Sequence, residues 1–164
     1  MAAAALVGAV TALLQTAVVP QLVDDPLAAP VLPVVMVAAW GTRRRASDVS
    51  IAVIMMGVCL GLLSTARAGW FVLALLPALG LALAAESGEP ERASLLRRAV
   101  LAGLIGGVGA AAYLSVLPLA GGHAEALSEA RAAVLLGATW TALLGSGLAL
   151  VLAPFGRQRD GLFA

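Results

Sequence analysis

Along this chain, apolar residues do not alternate with polar ones at strand spacing, and they do not fall into one helical stripe. They run in long blocks separated by short polar punctuation. Blocks of this kind read as membrane-crossing helices. The clearest stretch covers residues 49–85, where Arg67 alone interrupts the apolar character. It predicts two helices, 49–63 and 70–85, joined by a tight turn over 64–69. Four further blocks predict helices over 2–19, 27–40, 100–117 and 132–154, with a tail over 155–164. The expected fold is all-α: a polytopic integral membrane protein with six transmembrane helices in a single domain.

The individual blocks differ in detail. The first ends before Pro20 and carries Gln15, Thr11 and Thr16 as its polar members. Its eighteen residues reach roughly 27 Å, enough for a hydrocarbon core of about 30 Å. Gly8 and Ala12 are four apart, which offers one flat face for close packing. Residues 20–30, with Asp24, Asp25 and Pro26, read as a turn region. The 27–40 block is short and contains Pro30 and Pro33. It is either a kinked short span or a half-buried re-entrant segment, and the short span is the favoured expectation, with Trp40 at the interface. Pro77 in the middle of the fourth block predicts a curved or kinked helix. The fifth block holds Gly103, Gly106, Gly107 and Gly109. Since glycine lets helices approach closely in a membrane, this block is the expected centre of the bundle.

Composition sharpens the membrane reading. Apolar residues make up 62% and charged residues 12% of the 164 positions, against about a quarter charged in soluble domains. A chain of this length has too little interior to bury six apolar helices in water. The net charge of +1 carries no message, but its distribution does. Six crossings place Arg43, Arg44, Arg45, Arg92, Arg97, Arg98, Arg157 and Arg159 on one side, which is eight of the ten arginines. Basic loops stay in the cytoplasm, so both termini are expected there. Arg43–Arg45 and the pair Arg97 and Arg98 are the topology determinants. The segment 86–98 has acids ahead of bases and suits a short amphipathic surface helix. With no basic residue ahead of the apolar N-terminus, the first block reads as a retained helix and not as a cleaved signal.

Candidate chemistry is sparse. The predicted spans contain no ionisable Asp, Glu, Lys, Arg or His, which argues against a coupled ion or proton pathway. His123 and Glu125 share an outer loop, and two ligands do not make a metal site. Ser64 and Ser115 have no base near them in the predicted layers. The glycine-rich block has no Lys and no preceding strand, so it is not a phosphate loop. The arginines lack interleaved aromatics, which argues against nucleic acid. Cys59 is alone, and reads as a small packed hydrophobe. No catalytic residue, cofactor or metal is expected; the chain reads as a binder of other proteins or of an apolar ligand, in contact with membrane lipid.

Several features together resemble one family. They are LLQTAVVPQL at 13–22, Leu32 and Pro33 in a short second helix, GVCLGLL at 57–63, Gly69 opening the fourth helix, and the chain length. This pattern is similar to MreD, the small integral membrane subunit of the bacterial rod-shape machinery. Members commonly carry an Asp shortly after the Gly-x-x-x-Gly-Leu-Leu element; this chain has Ser64 and Thr65 there. The resemblance implies a non-enzymatic, multi-pass protein of the bacterial inner (plasma) membrane. It implies an MreC-like partner with one crossing, and with it a RodA-like glycan polymerase and its transpeptidase. Gly57 and Gly61 match the family's glycines. Gln15, Pro20, Gly103 and Gly107 complete the residues expected at a partner surface or in helix packing. The family is thought to share its six-helix architecture with the substrate-binding S components of energy-coupling-factor vitamin transporters. That is the alternative expectation, and Trp70, Phe71, Tyr113 and Trp140 are the aromatics available to it.

Overall fold

The computed structural model describes residues 2–42, 46–64, 68–86, 94–120 and 130–152. Arg43, Arg44, Arg45, Arg67, Arg92, His123, Glu125, Glu129 and the 155–164 tail lie outside the described residues. Every described element is a helix: α1 (Ala2–Ala17), α2 (Val19–Leu22), α3 (Leu32–Gly41), α4 (Ala46–Leu63), α5 (Ala68–Glu86), α6 (Leu95–Ala120) and α7 (Arg131–Val151).

Four helical segments are long and apolar enough to cross a bilayer: Ala2–Leu22, α5, α6 and α7. The first is α1 and α2 taken together. Pro20 has no N–H to continue the ladder, and the chain turns slightly at Val18 before the last helical turn. The α6 helix begins at Leu95, so part of the charged 86–98 segment, including Arg97 and Arg98, belongs to a long helix and not to a separate surface one. It also continues through Pro118, which gives up the hydrogen bond that an N–H there would make to the carbonyl four residues back.

The outer surface is what identifies the solvent. Leu6 and Val10 on α1, Ile54 and Val58 on α4, Leu104 and Val108 on α6, and Leu143 and Leu150 on α7 all point outward and are exposed. Soluble monomers do not carry continuous apolar belts of this kind. In hydrocarbon such a surface is the expected one, with every backbone group satisfied inside its own helix. The chain is therefore an all-α, polytopic membrane protein.

Neighbouring side chains fix the helix directions. Gly8 of α1 lies against Ala52 of α4; Gly57 and Gly61 of α4 lie against Val72 and Ala68 of α5; Gly109 of α6 lies against Ala78 of α5; Gly106 lies against Thr141 of α7. With Gly103 lying against Ser146, these pairings set α4 antiparallel to α5 and α6 antiparallel to α7. α3 runs with α5 and α7, since Val34 and Gly41 neighbour Gly109 and Ala82 in turn.

The centre differs from expectation. It is α3, not the glycine-rich α6. Seven of the ten α3 residues are buried, and α3 packs on α1, α4, α5, α6 and α7. The α6 helix is the most buried of the four long segments and shares the most extensive interface, with α7, but it stands in the ring. The reason is length. A ten-residue helix spans about 15 Å, so α3 reaches only part of the way across the bundle and can be enclosed by longer neighbours.

Not every glycine serves packing. Gly147 of α7 faces outward and a Cβ there meets no atom within 4 Å. Gly147→Ala is expected to raise thermal stability in detergent by a few tenths of a kcal/mol to about 1 kcal/mol, through helix propensity alone.

Candidate functional site at the start of the central helix

Because α3 is short, its first turn lies deep inside the bundle. Val34 sits beside Gly109 and Ala78, which are near the middles of α6 and α5. The preceding residues are not helical. Asp25 organises their entry: its Oδ1 accepts the Leu27 N–H at 2.9 Å, and its carbonyl accepts the Ala28 N–H at 3.1 Å. The chain then passes alongside α7. Leu27 and Ala29 lie at Gly137, Val31 at Thr141, and Ala38 at Gly145. A span of continuous helix over 27–40 is thus replaced by a non-helical lead and a half-length helix. Pro30 and Pro33 set this division, since proline suits a helix start and disfavours helical backbone in the residue before it.

A helix that starts inside a membrane exposes N–H groups where water cannot reach them. Here each has a partner. The Val31 N–H donates to Thr141 Oγ1 at 2.9 Å. The Leu32 N–H donates to Gln15 Oε1 at 2.7 Å. Pro33 has none to offer, and the N–H groups of Val34 and Val35 both donate to the Val31 carbonyl at 3.0 Å. Thr141 in turn donates its hydroxyl proton to the Gly137 carbonyl at 2.7 Å, so one side chain completes two bonds. Thr141 is fully buried. The hydrogen bonds that Gln15 and Thr141 accept therefore tie α1 and α7 to the first turn of α3.

The other expected residues fall on separate seams. Gly57 and Gly61 let α4 close on α5, with no room for a Cβ before Val72 or the backbone of Ala68. Gly103 and Gly107 face Ser146 and Ala142 on α7. Pro20 is exposed in α2. Arg97 is exposed and Arg98 half-buried in the first turn of α6. Gln15 alone among the expected residues joins the buried start of α3. The role of Thr141 was not anticipated. The usable signal was its place one turn after Gly137, among the three hydroxyl residues Thr139, Thr141 and Ser146 of that block.

Elsewhere in the bundle hydroxyls also bond within the chain. Thr11 donates to the Val7 carbonyl, Thr16 to that of Ala12, Ser115 to that of Ala111, and Thr139 to that of Leu135. Ser146 donates across the seam to the Ala99 carbonyl at 2.9 Å. Ser146→Ala is expected to cost only about 0.5–1 kcal/mol in a reversible unfolding titration, because the Ala99 carbonyl sits in a helix and interhelical bonds in membranes are individually modest. Among the described residues, no group of His, Cys, Asp and Glu side chains is arranged to hold a metal ion. No family model, curated protein or solved structure matches the chain.

Proposed function

We propose that this protein is a non-enzymatic scaffold of a bacterial wall-elongation machinery, acting in the manner of the MreD family it resembles. The observation that supports this reading is how the interior uses its polar groups. Gln15, Thr141 and Ser146 are bonded to the chain's own backbone, where they hold helices together. A bundle built this way offers rigid surfaces to other membrane proteins. In this reading the non-helical lead over 27–31 and α3 together make one crossing, giving six in all. Both termini lie in the cytoplasm of a cell bounded by the plasma (inner) membrane, held by the arginine bias. The partner is an MreC-like protein with one crossing, and with it a RodA-like polymerase and its transpeptidase.

The test is affinity purification from the native membrane in mild detergent, followed by mass spectrometry. Recovery of a one-crossing coiled-coil protein with a wall polymerase supports the scaffold reading. Recovery of a large transmembrane coupler with two ATPases, or of a tightly held vitamin, overturns it in favour of a transporter S component.

A further inference from the structure

One interior hydroxyl stands apart from the others. Thr11, Ser115, Thr141 and Ser146 all donate to backbone carbonyls. Tyr113 of α6, the single tyrosine of the chain, is only 4% exposed. Among the described residues its hydroxyl has no hydrogen-bond partner. A second set of unpaired groups lies in the lead to α3. Ala29 is 2% exposed, and among the described residues neither its N–H nor its carbonyl has a hydrogen-bond partner. The sequence explains both. Four residues back, the Asp25 carbonyl is already taken by the Ala28 N–H. Four residues on stands Pro33, which has no N–H to offer the Ala29 carbonyl.

The fold brings Tyr113 and Ala29 to one level of the bundle. Val34 neighbours Gly109, and Ala38 meets Ala102 at Gly145, so α3 and α6 run antiparallel. Tyr113 follows Gly109 by one turn on the same helix face, which sets it opposite the chain just before Val34. Leu114 fixes the level: its Cδ1 and the Ala29 carbonyl oxygen both close on Gly137. Tyr113, Leu114, Val31 and Val34 belong to one packed core. We propose that water is bound inside the bundle at this level, hydrogen-bonded to the Tyr113 hydroxyl and to the Ala29 backbone. A buried donor or acceptor left dry carries its full desolvation penalty, and internal water is the usual remedy where polar groups come together. These groups ask for a small neutral molecule that both donates and accepts. Ala29 offers one group of each kind, and a phenol serves as either. Among the described residues, the buried ones include no Asp, Glu, Lys, Arg or His that would pair with a charged ligand. The proposal stands on these groups and does not depend on the scaffold reading.

The first experiment needs no substitution. The wild-type protein in mild detergent is irradiated in isotope-labelled water, so that hydroxyl radicals form from bound water and react where they arise. Tyr113 is expected to take up labelled oxygen several-fold faster than Phe71, an aromatic side chain buried to a similar degree, after correction for their intrinsic reactivities. Equal corrected rates overturn the proposal. The second experiment is unfolding of Tyr113→Phe in mixed micelles. Removal of a hydrated hydroxyl takes a partner from the water and is expected to lower the unfolding midpoint. Removal of a dry, unpaired hydroxyl leaves the midpoint unchanged or raises it, and either result overturns the proposal. Magnetisation transfer from water to amides tests the other end. It is expected at the Ala29 N–H and not at the Val34 N–H, which is bonded to the Val31 carbonyl. An Ala29 amide as dry as that of Val34 overturns the placement.

Discussion

Gly137→Val is expected to destroy the packing between α7 and the lead into α3, with a loss of about 3 kcal/mol or more. A Cβ at Gly137 would lie 2.6 Å from the Leu27 carbonyl oxygen, 2.9 Å from that of Ala29, and 3.0 Å from Leu114 Cδ1. Two of these neighbours are backbone and lack a rotamer through which to escape. Nor is the lead free to retreat, because Val31 and Leu32 are hydrogen-bonded at its far end and Asp25 closes the turn at its near end. Gly137→Ala already places the Cβ and is expected to show a large part of the same loss. The measurement is reversible unfolding in mixed micelles, with Gly147→Ala as the control that leaves packing untouched. Equal behaviour of Gly137→Ala and Gly147→Ala would mean that the close approach of the lead to α7 is absent.

Thr141→Val carries the second large effect. The substitution keeps the shape of the side chain and removes only the hydroxyl. It leaves the Val31 N–H without its acceptor in a fully buried place, at a cost of about 1–3 kcal/mol. The Gly137 carbonyl loses a donor too, but it remains within a helix. Thr141→Ser restores the oxygen and is expected to recover most of the stability, apart from the lost methyl contact. Amide hydrogen exchange gives a local readout. Exchange at Val31 should accelerate in Thr141→Val and return toward wild type in Thr141→Ser. Unchanged exchange at Val31 in the valine variant would remove Thr141 as its partner.

Much of the architecture was readable because lipid imposes a simple rule on sequence. Blocks without charge must be helices, and α4, α5 and α7 begin and end within three residues of where the apolar blocks do. Charge told less about helix ends. Arg97 and Arg98 read as part of a short surface helix, yet they form the first turn of α6, since a helix extends beyond hydrocarbon at little cost. The 27–40 block is the instructive case. Its prolines signalled a break, but hydrophobicity cannot distinguish a helix that faces lipid from one enclosed by other helices. Both are apolar, and only the tertiary contacts of Val34, Ala38 and Gly41 reveal which it is. The glycines of α6 illustrate the same limit: they report close packing without naming the neighbour. Gln15 stood out as the one amide in its span, while its acceptor role depends on a backbone N–H seventeen residues away.

The bond between Val31 and Thr141 also has a temporal side. Thr141 lies 110 residues downstream of the N–H it satisfies. At about 5–20 residues per second of synthesis, roughly 5–20 s separate the emergence of donor and acceptor. Throughout that interval the start of α3 has no stable place in hydrocarbon, and ten apolar residues are too few to insert by themselves. The central helix is thus among the last to settle, although it is made second in line among the apolar blocks. With Cys59→Ala and a single Met36→Cys introduced as the reporter, nascent chains arrested before α7 should keep position 36 accessible to aqueous thiol reagents, and release of the complete chain should close it.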